Sequence, residues 1–173
     1  MLKSVRQFFQ SILLHINDND LKFCEQYLTI NEYALFLKFS GFEKVHAVRT
    51  ARKMQKIIHR DSGVDERMMV RAALLHDIGR ISGNISLFDK VWLKLVKYLM
   101  RPVYNRLAEK GRHPESGHRK FYIHKYHGEA AGDFLKRAGT DAAIIDVIAR
   151  HAQKPKNTDS KELKLLRVAD RTS

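Results

Sequence analysis

The chain has 173 residues, enough for one domain with a sizeable core and short for two. Nine glycines, three prolines and apolar residues recurring at spacings of three and four predict an all-α fold, a helical bundle of about seven to nine helices. The single cysteine, Cys24, excludes an intramolecular disulfide and points to a reducing compartment, while the net charge of +13 implies an anionic partner.

Lys3 and Arg6 precede Phe8 and Phe9 as in a signal peptide, but Gln7, Gln10, Ser11 and His15 interrupt the apolar run. Leu2, Val5, Phe9, Ile12 and Ile16 instead mark one face of an amphipathic helix over residues 2–16. No apolar run approaches the roughly 18 residues of a membrane span, so a cytoplasmic protein is expected. Cys24 reads as a small buried hydrophobe beside Phe23 and Tyr27.

A second helix follows Asn19 and Asp20. Thr29 and Glu32 form a T-x-x-E capping box for a third, which Gly41 is expected to end. A long helix runs from about Phe42 to His59, and Asp61, Ser62 and Gly63 make a turn. Asp65 or Glu66 then opens a helix that reaches His76, and Gly79 breaks it where a residue of positive φ usually sits. Residues 1–41 read as N-terminal helices packing on a core domain of residues 42–173.

Residues 82–125 read as a basic helical insertion, with ten lysines or arginines against Asp89, Glu109 and Glu115. Lys90, Lys94, Lys97 and Arg101 share one helical face; Val91, Trp92, Leu95 and Leu99 share another. The plain expectation packs the Trp92 face on the core and leaves the lysines in water. The alternative lays residues 88–101 on an anionic membrane or on nucleic acid. No aromatic platform is interleaved with the basic residues, which argues against nucleic acid. Pro102 punctuates this stretch, and Gly111, Pro114 and Gly117 mark a loop. Regular helices return over about His127–Ala138 and Asp141–His151, with a turn at Gly139 and Thr140. A polar loop, Lys154–Ser160, precedes the last helix.

Six side chains lie on or at the end of apolar helices, facing the core: His46, His76, Asp77, His127, His151 and Asp170. Four imidazoles and two carboxylates suit a pair of divalent first-row metals, because a carboxylate can bridge two ions and reduce their repulsion. Asp77 is the best bridge, being adjacent to one ligand and central in chain order. A buried aspartate also needs a cation or donors to offset its desolvation. Taken singly, each histidine could equally be a cap or a satisfied core residue. His15, His59, His113 and His118 read as surface residues.

The order H…HD…H…H…D, with HDIG at its centre, resembles the HD superfamily (HDIG-type) of metal-dependent phosphohydrolases. The matching pieces are VHAVRTA around His46, AALLHDIGR around His76 and Asp77, HGEAA at His127, IARH at His151 and LLRVAD at Asp170. His124 lies one turn before His127, but the G-E-A-A that follows His127 matches the family. The resemblance implies that His46, His76, Asp77 and Asp170 hold one ion, and that His127 and His151 share Asp77 around a second. The metal is left open among Fe, Mn, Zn, Ni and Mg. It also implies a water activated between ions about 3.5–4 Å apart, attacking a phosphate ester or anhydride of a nucleotide or other small phosphorylated compound. Arg80 is the first choice for a substrate phosphate contact and Lys53 the second; Arg49 and Arg150 are weaker. The segment between HDIGR and His127 is longer and more basic than in compact dinuclear members, and the GYP signature of the cyclic-di-GMP-hydrolysing branch is absent. Two other expectations stand beside the hydrolase. One is an HD-type di-iron oxygenase using the same six ligands; the other is a non-catalytic metal-binding module on an anionic membrane or nucleic acid.

Overall fold

A computed structural model of the protein describes residues 16–58 and 63–173. Most of the helix expected over 2–16, together with His15, His59, Asp61 and Ser62, lies outside the described residues. Among the described residues, nine α-helices and one 3-10 segment follow in order: α1 Asp18–Tyr27, α2 Ile30–Phe36, α3 Gly41–Ile58, α4 Glu66–Leu75, the 3-10 segment Ile78–Gly83, α5 Leu87–Leu99, α6 Arg101–Lys110, α7 Arg119–Arg137, α8 Ala142–His151 and α9 Lys161–Thr172. No strand occurs among the described residues. The fold is all-α.

Side-chain caps explain most of the helix starts. Asn17, Thr29 and Ser86 each accept from the N3 amide while an acidic N3 residue returns the bond, and Asp65 and Ser160 cap α4 and α9. Gly41 does not end α2. That helix stops at Phe36, and Gly41 opens α3, because Ser40 and Glu43 bond reciprocally across its first turn.

The core forms around α4, which packs against α1, α2, α3, α8 and α9. Its residues Met69, Val70 and Ala72 to Leu75 are fully buried, so the helix is apolar on nearly every side, as a central helix must be. Cys24, Leu28, Phe36 and Phe39 join the same core as α3, α8 and α9. Burial pushes the Cys24 thiol up to about 12, which keeps it protonated and inert.

One charged pair is built into this core. Glu32, fully buried, receives Arg71 Nη2 at 2.8 Å and Nε at 3.2 Å, and also Thr140 Oγ1 at 2.8 Å. Burial works against the Glu32 carboxylate, but Arg71 and its other donors hold it below the ordinary range. Removing the arginine would strand a buried charge. Arg71→Ala is therefore expected to cost about 3–5 kcal/mol, read as a lower urea midpoint with an unchanged slope.

The insertion holds the largest departure from expectation. On α5, Leu93 and Val96 are buried whereas Val91, Trp92, Leu95 and Leu99 are exposed. The Trp92 face points outward. The inner edge of the helix carries Lys90 instead, whose amine bonds Glu43 Oε1 at 3.0 Å and lies 4.7 Å from the centre of the Phe42 ring. A lysine tolerates this position because a carboxylate and a ring face replace its water. The third helix of the insertion also differs: α7 begins at Arg119 rather than His127, and is kinked at Tyr126 (φ −121°, ψ 22°).

Candidate metal centre

The centre is assembled mainly from helix C-termini. His76 caps α4, His151 is the last residue of α8, and Asp170 lies in the last turn of α9. Helix C-terminal ends carry partial negative charge and unpaired carbonyls, so three of them meeting favours a cation between them. The histidines use those carbonyls directly. His76 Nδ1 donates to Ala73 O at 2.8 Å, and His151 Nδ1 donates to Ile148 O at 2.6 Å. A carbonyl can only accept, so each Nδ1 carries a proton and each Nε2 faces the centre.

His46 enters from α3 and His127 from just past the kink in α7. Two glycines allow the approach. A Cβ on Gly79 would stand 1.9 Å from the carbonyl oxygen of His127, so the 3-10 segment and α7 touch backbone to backbone. A Cβ on Gly128 would meet the carbonyl oxygens of Ile148 and Ala149, each at 2.8 Å, which lets α7 lie against the end of α8. Gly79 does not have positive φ, as only Gly63 and Gly139 do among the described glycines. Its role is close approach rather than a left-handed turn.

Asp77 leaves α4 with φ −96° and ψ 6° in the sparsely populated bridge region, which turns its carboxylate into the cluster. The two oxygens then divide between two histidine pairs. Oδ2 lies 3.9 Å from His46 Nε2 and 3.7 Å from His76 Nε2. Oδ1 lies 3.1 Å from His127 Nε2 and 3.9 Å from His151 Nε2. Within the first pair the Nε2 atoms are 3.3 Å apart, and within the second 3.2 Å. Asp170 Oδ1 completes the first group at 3.0 Å from His46 and 3.4 Å from His76.

The shorter separations suit a metal, whereas Asp77 stands wider, at 3.9 Å from His46, 3.7 Å from His76 and 3.9 Å from His151. Donors about 2.1 Å from one ion stand about 3.0–3.4 Å apart at octahedral to tetrahedral angles. Three overlapping triads have all their donor atoms within 4.8 Å of one another and could hold an ion: His46, His76, Asp77; His76, His151, Asp170; and Asp77, His127, His151. The buried Asp77 Oδ1 and His127 Nδ1 lack a well-directed hydrogen bond, as does Arg80 Nε although it lies 2.8 Å from Asp77 Oδ1. The donor set therefore fits divalent cations better than it fits itself.

The protonation pattern agrees. Burial disfavours the His76 cation, yet Asp77 and Asp170 outweigh it and bring the ring up to about 9. Burial, then the neighbouring rings of His127 and His76, hold His151 down to about 3. Burial and Arg80 also lower His127. Asp77 stays ionised against its burial because Arg80 and His76 face it, and Asp170 does so through hydrogen bonds with His46 and His76. One proton on His76 is what an incoming cation would displace.

The six side chains singled out in the sequence thus converge. His124 does not: it sits on the other side of the Tyr126 kink, bonded to Tyr104 Oη at 2.6 Å. Arg80 lies inside the cluster, with Nη2 3.3 Å from His127 Nε2. Lys53 is half-buried on α3 and forms no hydrogen bond or ion pair with any of the six. Arg150 is taken up by Asp146 and Asp159, each at 3.2 Å. Sequence reasoning missed Gly128, Glu43 and Lys90. Gly128 had a signal, a glycine directly after a candidate ligand; the other two become visible only when α5 is laid beside α3.

No helix among the described residues is long and apolar enough to cross a membrane. No curated protein and no solved structure gives a significant match. The HD domain family model does match, over residues 45–173, a span that contains all six converging side chains. The chain belongs to the HD domain family.

Proposed function

We propose that the protein is a metal-dependent phosphohydrolase that cleaves a phosphate ester or anhydride of a nucleotide or another small phosphorylated compound. The observation that carries this reading is the division of the Asp77 oxygens, Oδ2 toward His46 and His76 and Oδ1 toward His127 and His151. In this reading Asp77 would help to hold two ions, one together with His46, His76 and Asp170 and the other together with His127 and His151. Such ions supply Lewis-acid stabilisation of phosphoryl oxygens and a water acidic enough to act as nucleophile near neutral pH.

The chain's own residues supply access and charge. Asp170 and His46 are the most exposed of the six, at 37% and 22% of their side-chain surface, so the substrate enters on their side. Arg80 faces Asp77 through Nε and His127 through Nη2, which leaves Nη1 of its planar guanidinium for a phosphoryl oxygen. Lys90 and Lys97 add to the positive field. Burial lowers both below the ordinary lysine range, and Arg80 is among the cations that reinforce the shift. A site that gathers several cations near one another favours an anionic substrate. Lys53 is the second phosphate contact in this proposal.

The test is phosphate release from a panel of nucleotides, dinucleotides and phosphomonoesters by protein loaded in turn with Mn, Fe, Zn, Ni and Mg. Turnover of at least one compound is expected. No release with any metal, together with oxygen uptake and an EPR signal from the iron-loaded protein, would shift the assignment to the oxygenase. Arg80→Gln is expected to lower kcat/KM by about 10–100-fold.

A further inference from the structure

Eight of the eleven exposed large hydrophobic residues among those described lie between positions 88 and 103. They form one patch rather than scattered surface residues. Phe88 is 85% exposed, Trp92 59%, Tyr98 82% and Leu99 66%, with Leu95 between them and Met100 at the turn into α6. Isolated apolar residues on a surface need no explanation, but a contiguous strip along one helix does.

The surrounding charge indicates what covers it. Lys94, Lys97, Arg101 and Arg106 are exposed on the same two helices. Asp89 is the one acidic residue over positions 87–106, and it is already held by Lys120 at 2.8 Å and by Ser86. A second copy of the chain would bring another +13 charge against this face. A nucleic acid would match the cations but has no use for the aliphatic Val91, Leu95, Leu99 and Val103. An anionic bilayer takes both: aliphatic side chains reach the acyl boundary, Trp and Tyr rest at the headgroup level, and lysine and arginine meet the lipid phosphates.

We infer that the outward face of α5 and the start of α6 is a docking surface for an anionic membrane, with Phe88, Trp92, Leu95 and Leu99 inserted and Lys94 and Arg101 on the headgroups. The opposite edge of the same helix bears Lys90, bonded to Glu43 at the start of the helix that carries His46. Docking would therefore place the membrane on the back of a helix that packs toward the metal centre. The inference is independent of which phosphate the centre cleaves.

Trp92 is the one tryptophan of the chain, so its fluorescence reports on this face alone. Full-length protein is mixed with vesicles of phosphatidylcholine, or of phosphatidylcholine with 30% phosphatidylserine. A blue shift and co-sedimentation are expected with the anionic vesicles only, and binding should weaken as salt is raised. Neutralising Lys94 and Arg101 to glutamine is expected to weaken binding by about 30-fold. Leu95→Glu should abolish the blue shift while leaving the metal content unchanged. Four results would overturn the proposal. They are no binding by the wild-type chain, undiminished binding by Leu95→Glu, a blue shift that follows protein concentration without lipid, and a lipid-free monomer whose Trp92 is already shielded from acrylamide. The third would assign the face to a second copy, and the fourth to the chain's own residues 1–15.

Discussion

Asp77→Ala is expected to remove both of the proposed ions and bring the proposed hydrolysis to background, whereas His151→Ala is expected to retain one ion. The asymmetry follows from the geometry. Asp77 supplies an oxygen to each histidine pair, so its loss takes a ligand from both. His151 approaches the Oδ1 side and lies 3.2 Å from His127, leaving His46, His76, Asp77 Oδ2 and Asp170 intact. Metal analysis of the two purified variants reads the difference directly. Equal loss of metal in both would contradict the bridging role of Asp77. Circular dichroism separates this from unfolding, since Asp77 is the most strongly desolvated carboxylate of the centre and its removal takes away a buried charge as well as a ligand. Asp77→Asn, which keeps the shape and removes the charge, should fold and still fail to hold both ions.

Gly79→Ala is expected to be among the most destabilising single-methyl additions available to this chain. The new Cβ would stand 1.9 Å from the His127 carbonyl oxygen and 2.8 Å from the Ala131 amide nitrogen. Both are helix backbone atoms of α7, so no side chain can rotate away, and the 3-10 segment and α7 must separate. Overpacking of this kind costs about 3 kcal/mol or more, which for a chain of this size is a fall in Tm of about 6–12 °C. The functional consequence is larger than the stability loss. His127 belongs to the stretch of α7 that must move, and its Nε2 lies 3.1 Å from Asp77 Oδ1. The ion held by His127 and His151 should therefore be lost in preference to the ion held by His46, His76 and Asp170. A variant with wild-type metal content and wild-type Tm would show that the contact is not tight.

Much of this architecture is legible in the primary structure because it is local. The Thr29–Glu32 capping box, the Asp65 cap and the Gly139 turn depend on residues three or four apart, and each occurs where the sequence places it. The six side chains of the centre were legible for a related reason. Each sits on or at the end of a helix with an apolar core face, and their order along the chain matches the HD family. Local signals failed where two answers satisfy the same periodicity. Gly79 reads as a left-handed helix stop, because a glycine after a helix usually is one, but here it serves an approach to a segment 48 residues later.

The sequence by itself determined the helical class, the Thr29 and Asp65 caps, the apolar identity of α4 and the inventory of candidate ligands. Those follow from the 3.6-residue period, from side chains bonding to neighbouring amides, and from the cost of burying an unpaired charge. The tertiary structure alone decided three things. It set Asp77 Oδ2 toward His46 and His76 and Oδ1 toward His127 and His151, which depends on an ångström-scale meeting of α3, α4, α7 and α8. It separated His127 from His124 through the kink at Tyr126. And it chose which face of α5 is buried: the helix carries two apolar stripes, and the narrow Leu93–Val96 stripe lies inward where α5 packs on α6 and α7, with Lys90 reaching Glu43 and Trp92 turned out.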